Sequence, residues 1–158
     1  MSKPTVYIES TIPSYLTARV SNNATVVGHQ VTTWLWWEIH KNNGERFISS
    51  VVEDEIRAGD PEFARRRMDI VEGLPMLDIT DEVIELAVTY MRRLPIPDRA
   101  EADAYHLALA TVHNIDYLVT WNLKHMASST VKRLLPTINA NYRLGTPVIC
   151  TPEDLLYA

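Results

Sequence analysis

Apolar positions follow two rhythms along the chain. Short β-branched or aromatic runs at residues 5–8, 46–49, 76–79, 116–120 and 147–151 read as strands. Between them lie longer segments with helical spacing. The clearest covers residues 81–93, where Val83, Leu86, Ala87 and Tyr90 fall at i, i+3, i+4 and i+7. Strands that alternate with helices require crossover connections, and so predict a mostly parallel sheet covered on both faces. The fold class expected is α/β, a three-layer α/β/α domain.

The punctuation agrees with that rhythm. Asp60-Pro61-Glu62 offers an N-cap, a proline at the first helical position and an acid in the positive first turn. Asp98-Arg99-Ala100-Glu101 has the spacing of a capping box at the head of a helix running over residues 99–114. Leu94-Pro95-Ile96-Pro97 cannot continue a helix and forms a connection. Thr151-Pro152-Glu153-Asp154 starts a last short helical turn. No repeat, low-complexity tract or Gly/Ser linker interrupts the chain, so residues 1–158 are expected to form one domain.

Composition narrows the class. Of the 158 residues, 46% are hydrophobic and 22% charged, which suits a soluble globular protein with a sizeable core. Fifteen Lys plus Arg against 20 Asp plus Glu leave a net charge of −5. A globally basic nucleic-acid coat is thereby disfavoured, because such proteins neutralise phosphate with excess positive charge. An enzyme whose site gathers acids around a metal is not. The deficit is also uneven: residues 117–152 contain no acid and carry Lys124, Lys132, Arg133 and Arg143. The single Cys150 excludes an intramolecular disulfide and a cysteine-built zinc site, and points to a reducing compartment. No signal peptide or membrane-spanning run is legible, so the expected location is cytoplasmic, away from membranes.

In open parallel sheets ligands gather at the carboxyl ends of the strands, at a switch in strand order. Glu9 directly follows Val6-Tyr7-Ile8. Glu55 lies where the run from Ser49 passes into a helix, Asp103 in the first turns of the next long helix, and Asn122 just after an apolar strand. Carboxylates converging on one cleft repel each other unless a hard divalent cation neutralises them. A bound metal of that kind lowers the pKa of water and stabilises charge on a phosphoryl oxygen.

Four stretches sharpen this picture. Val6-Tyr7-Ile8-Glu9-Ser10-Thr11-Ile12-Pro13, Ile48-Ser49-Ser50-Val51-Val52-Glu53-Asp54-Glu55-Ile56 and Glu101-Ala102-Asp103-Ala104-Tyr105-His106-Leu107-Ala108 resemble the three acidic motifs of PIN-domain proteins. Tyr117-Leu118-Val119-Thr120-Trp121-Asn122-Leu123-Lys124-His125 resembles the fourth, and Ile149-Cys150-Thr151-Pro152-Glu153-Asp154-Leu155 matches the usual end. The resemblance is to the VapC-like branch, the toxin nucleases of type II toxin–antitoxin pairs. It implies an endoribonuclease that uses Mg²⁺ or Mn²⁺ to hydrolyse RNA phosphodiester bonds and is restrained by a cognate antitoxin. Glu9, Glu55 and Asp103 would then be the catalytic, metal-binding carboxylates, with Asn122 in the fourth catalytic position. Ser10 would orient the first acid, and Ser10, Lys124 and His125 would face the substrate. Two departures stand out: the first acid is Glu rather than the usual Asp, and the fourth position is neutral. They favour an alternative, a catalytically weakened PIN-like module that binds RNA or a protein partner. A nucleotide-binding or phospho-receiver domain is disfavoured, since the five glycines form no phosphate loop and the first strand lacks paired acids.

The remaining conspicuous residues have ordinary readings. His106, one turn after Asp103, is expected in the core or beside the site acids. Arg65-Arg66-Arg67 is expected on a solvated helix face. Trp34, Trp36 and Trp37 cannot all face one core from a single helix, so one or two should cover a second surface, in a homodimer or an antitoxin contact.

Overall fold

The computed structural model describes residues 2–157. Strand β1 (Thr5–Ile8) leads through α1 (Thr11–Thr17) and α2 (Ala24–His40) to β2 (Glu45–Ser49). Helices α3 (Ser50–Ile56) and α4 (Pro61–Val71) then lead to β3 (Met76–Leu77). Next come α5 (Asp81–Arg93), a 3₁₀ turn at Asp98–Ala100 and α6 (Glu101–Val112), followed by β4 (Tyr117–Val119). Helix α7 (Ser129–Asn141), β5 (Val148–Cys150) and α8 (Pro152–Leu156) complete the chain.

The five strands pair in the order β3-β2-β1-β4-β5, all parallel. Right-handed crossovers fix the layers. The chain steps outward from β1 to β2 and β3, then back across to β4 and β5. That reversal puts α5 and α6 on the face opposite α1 and α2. Helix α5 packs on α6, α2 on α8, and α1 on α4 and α2. The three-layer α/β/α expectation holds.

Local chemistry explains most element ends. Asp60 caps α4 by accepting from the amides of Glu62 and Phe63, with Pro61 at the first position. Thr80 caps α5, whose buried stripe is Val83, Leu86, Ala87 and Tyr90. Thr151 and Asp154 form a reciprocal capping box on α8. The box expected at Asp98 does not form. A 3₁₀ turn takes up Asp98–Ala100, so Ala100 becomes the residue preceding α6 and Glu101 lies too early to reach back. Arg65 and Arg66 pair with acids of their own helix, and Arg67 donates to the carbonyls of Ile56 and Ala58. The basic run is therefore a helix face braced by its neighbours.

The strands at the centre are buried beyond their first residues. Tyr7, Ile8, Leu118 and Val119 have no exposure, and Tyr90 buries its hydroxyl against Thr111 and Asn139. At the amino edge, Asp116 latches β4 to β1 by accepting from both the amide and the hydroxyl of Thr5. No helix among the described residues is long and apolar enough to cross a membrane.

Candidate functional site

Strand order reverses between β1 and β4, so the crevice at their carboxyl ends is where the fold opens a site. Glu9 emerges there, 3% exposed, its amide donating to the Val119 carbonyl at 3.3 Å. One carboxylate oxygen, Oε1, accepts from the Thr11 amide at 3.0 Å, the Thr11 hydroxyl at 2.5 Å and the Thr120 hydroxyl at 2.7 Å. Oε2 takes no hydrogen bond from the described residues. Burial is the largest influence on this carboxyl and holds it above its ordinary pKa, against the nearby His106 and the two hydroxyls.

Glu55 reaches the same crevice from α3. Its Oε1 accepts from the Ser10 hydroxyl and lies 2.5 Å from His106 Nε2, again leaving Oε2 without a hydrogen bond. Burial pushes Glu55 up, but His106 and Ser10 outweigh it and the net shift is downward. His106, with no exposure, sits behind both acids on α6. Burial disfavours its charged form, yet Glu55, Glu9 and Asp103 together hold its pKa above the ordinary value. Its Nδ1 is 2.7 Å from the Tyr7 hydroxyl, which is also 2.7 Å from the Ser49 hydroxyl. Tyr7 itself is pushed well up by burial.

Asp103 also lies at this end, buried on the first turn of α6. Its Oδ2 is 3.0 Å from His125 Nδ1. Asn122 follows β4; its side-chain carbonyl accepts from the His125 amide at 2.9 Å and so shapes the turn that brings His125 to Asp103. Lys124 is exposed on the same turn.

One ligand atom from each of Glu9, Glu55 and His106 lies within 4.8 Å of the other two. Of the expected trio, then, Glu9 and Glu55 converge, while Asp103 stands outside this tight group beside His125. One expectation shifts in detail. The Ser10 hydroxyl bonds to Glu55 rather than orienting Glu9, because Ser10 has turned into the first turn of α1 and faces α3. Thr11 and Thr120 hold Glu9 instead. His106, expected in the core or beside the acids, is both. The residues that sequence reasoning missed are Tyr7, Ser49, Thr11 and Thr120. Each lies inside a quoted motif, but only the strand register shows which side chain meets which.

The donor set suits a divalent metal. Each carboxylate is pinned through one oxygen with the other free, so the acids are oriented before any ion arrives. Oxygen donors dominate, as Mg²⁺ and Mn²⁺ require.

The aromatic residues divide as their helix demands. Trp36 is 3% exposed, Trp37 is half-buried beneath Arg46, and Trp34 is 47% exposed beside Val31, Leu35 and Ile39. Trp121, next to Asn122, stacks on His29 at 4.1 Å and on Tyr15 at 5.7 Å.

Comparison with known proteins bears on the whole arrangement. The family model of the PIN domain matches residues 32–125, well over half of the chain. That span holds Glu55, Asp103 and Asn122, while Glu9 precedes it. Among solved structures, VapBC2 from Rickettsia felis, crystallised bound to a DNA fragment from its promoter, superposes with a TM-score of 0.59 at 18% identity. The match covers 93% of this chain and 98% of that one, and at this identity it speaks for the fold. No curated protein matches the sequence.

Proposed function

The chain belongs to the PIN-domain family, and from that premise we propose that it is a divalent-metal-dependent endoribonuclease, one PIN-like domain over residues 1–158, acting as the toxin of a type II toxin–antitoxin pair. The observation that carries this reading is the convergence of Glu9, Glu55 and His106 at the switch in strand order, with a free oxygen on each acid. Glu9, Glu55 and Asp103 would hold Mg²⁺ or Mn²⁺. Such an ion, when bound, supplies a more acidic water and charge stabilisation at a phosphoryl oxygen.

The chain's own residues do the rest. Thr11 and Thr120 fix Glu9, while Ser10 and His106 fix Glu55. Asn122 and His125 position Asp103 from the turn after β4. Lys124, exposed beside them, offers its charge to the RNA backbone, in a region free of acids from residue 117 to 152. Ser10 reaches the substrate through Glu55, as a positioning residue. The α2 face of Val31, Trp34, Leu35 and Ile39 is the surface proposed for an antitoxin protein or a second copy of the chain.

The test is cleavage of single-stranded RNA by purified protein with Mn²⁺ or Mg²⁺, stopped by EDTA. Glu55→Gln and Asp103→Asn are the controls. Loss of cleavage in both variants, with the thermal melt unchanged, supports the reading; variants as active as the parent overturn it.

One observation favours a second reading, a module whose catalysis is weakened. Asn122 brings no charge and spends its carbonyl on the His125 amide. Calorimetric titration with Mn²⁺ separates the two: absence of binding at millimolar metal would leave an RNA- or partner-binding module.

A further inference from the structure

At the opposite edge of the sheet from the acids, the fold forms a half-open cavity of about 180 Å³. We propose that this cavity binds a small aromatic carboxylate. Its floor is one row of the sheet: Val6 stands in register with Arg46 on β2 and with Tyr117 on β4, so the three side chains leave the same face. Trp36 and Trp37 of α2 and Leu155 of α8 form the walls. The turn that closes one end passes through Gly44, where an added Cβ would lie 3.1 Å from the Pro4 carbonyl oxygen and 3.3 Å from Val6 Cγ2. A bare glycine lets the turn approach that closely.

Charge points to an anion. No acid lines the cavity, whereas His40, Lys41 and Arg46 do. Lys41 is already held by Glu38 at 2.9 Å. The Arg46 guanidinium instead lies 4.6 Å over the Trp37 ring and makes no hydrogen bond or ion pair among the described residues. Arg57, Arg65 and Arg66 each have a carboxylate and Arg67 has two carbonyls, while the other arginines without such a partner are exposed. A half-buried cation held by an aromatic face alone keeps its hydrogen-bond donors for an incoming carboxylate, which can meet them in a two-pronged geometry.

Size and lining point to the rest of the ligand. A cavity of about 150 Å³ accommodates benzene, and pockets for drug-sized ligands begin at roughly 300 Å³, so this one suits one or two fused rings. The Trp36 and Trp37 indoles of α2 and the Tyr117 phenol of β4 favour a planar aromatic body through offset or edge-on packing. The cavity opens at the amino ends of β1, β2 and β4, whereas Glu9 leaves the carboxyl end of β1, so the inference is independent of the nuclease reading.

The full ¹⁵N-labelled chain would be titrated with indole-3-acetate while the tryptophan indole N–H signals are followed. The expected result is saturable shifts at Trp36 and Trp37 with a Kd on the order of a millimolar or tighter. Neutral indole should bind about tenfold more weakly, the loss of one charge-assisted contact. Arg46→Gln should abolish the preference for the carboxylate, Arg46→Lys should keep most of it, and Leu155→Trp, which fills the cavity, should block both probes. Shifts absent from Trp36 and Trp37, equal affinity for the acid and the neutral ring, or a preference that survives Arg46→Gln would each overturn the proposal.

Discussion

The Tyr7 hydroxyl and His106 Nδ1 stand 2.7 Å apart with neither residue exposed, and this contact joins the central strand to the helix that carries Asp103. The hydroxyl also meets Ser49, so one phenol ties β1, β2 and α6 together directly behind the two site glutamates.

Tyr7→Phe should therefore leave an imidazole nitrogen and a serine hydroxyl without their partner in the core. The expected cost is about 1–3 kcal/mol, read from the shift in urea midpoint. His106 would lose one of its two anchors and keep only Glu55, so Mn²⁺ affinity should fall by roughly tenfold, as for other groups that orient ligands. An unchanged midpoint and unchanged affinity would show that the contact carries no weight.

Asn122→Asp should act in the opposite sense. A carboxylate oxygen can accept from the His125 amide as the amide oxygen does, so the turn is kept while a fourth negative charge is added. Mn²⁺ affinity should rise by about tenfold, near 1.4 kcal/mol, with RNA cleavage rising alongside. Calorimetry on parent and variant decides it; weaker metal binding in the variant would count against Asn122 as part of the site.

Stability of the metal-free protein should fall as pH rises above neutrality. His106 is held above its ordinary 6.5: burial pulls it down, but Glu55, Glu9 and Asp103 more than compensate. The folded state thus keeps a proton the unfolded chain releases, and that stability, full below 6.5, drains away as pH climbs through the raised value. Glu9, held above 4.5 by burial, has the same sign, its share fading as pH rises past 4.5. Glu55 has the opposite sign: its lowered pKa contributes above 4.5 and is lost as pH falls through the lowered value. Urea midpoints in EDTA from about pH 6 to about 9 should decline, and His106→Gln should flatten the slope.

Cys150 should behave as an inert thiol. It is 3% exposed on β5, and burial first, with Asp154 nearby, pushes its pKa up to about 12. The reactive thiolate is therefore scarce at neutral pH. Iodoacetamide should leave the native chain unlabelled over hours and modify it fully in denaturant. Rapid native labelling would mean that β5 opens.

The sequence spoke most clearly where local rules suffice. Helix α5 falls on Asp81–Arg93, the span its periodicity predicts, because Thr80 caps it, a buried stripe runs along it and Pro95 follows its end. Strand β3 shrinks from the expected 76–79 to Met76–Leu77, because its partner, β2, turns into α3 straight after Ser49. The site divides in the same way. The places of Glu9 at the end of β1, Glu55 in α3, Asp103 at the head of α6 and Asn122 after β4 follow from recognisable elements. The side chains that hold them do not. Thr120 reaches Glu9 across 111 residues of sequence, and His106 reaches Glu55 across 51. Such pairings depend on parallel register and helix rotation, which no window of sequence contains.

The strand order sets a timetable as well as a shape. β1 is made before every other strand of the sheet, yet it lies at the centre and waits for β4 on one side. Until Val119 and Thr120 have emerged, Glu9 lacks both the carbonyl that takes its amide and a hydroxyl that steadies its carboxylate. Contacts so distant along the chain form late and slowly. A nascent or truncated chain ending before Thr120 therefore carries three of the motif acids without the means to assemble them, and the acidic edge comes into being only once β4 has been made.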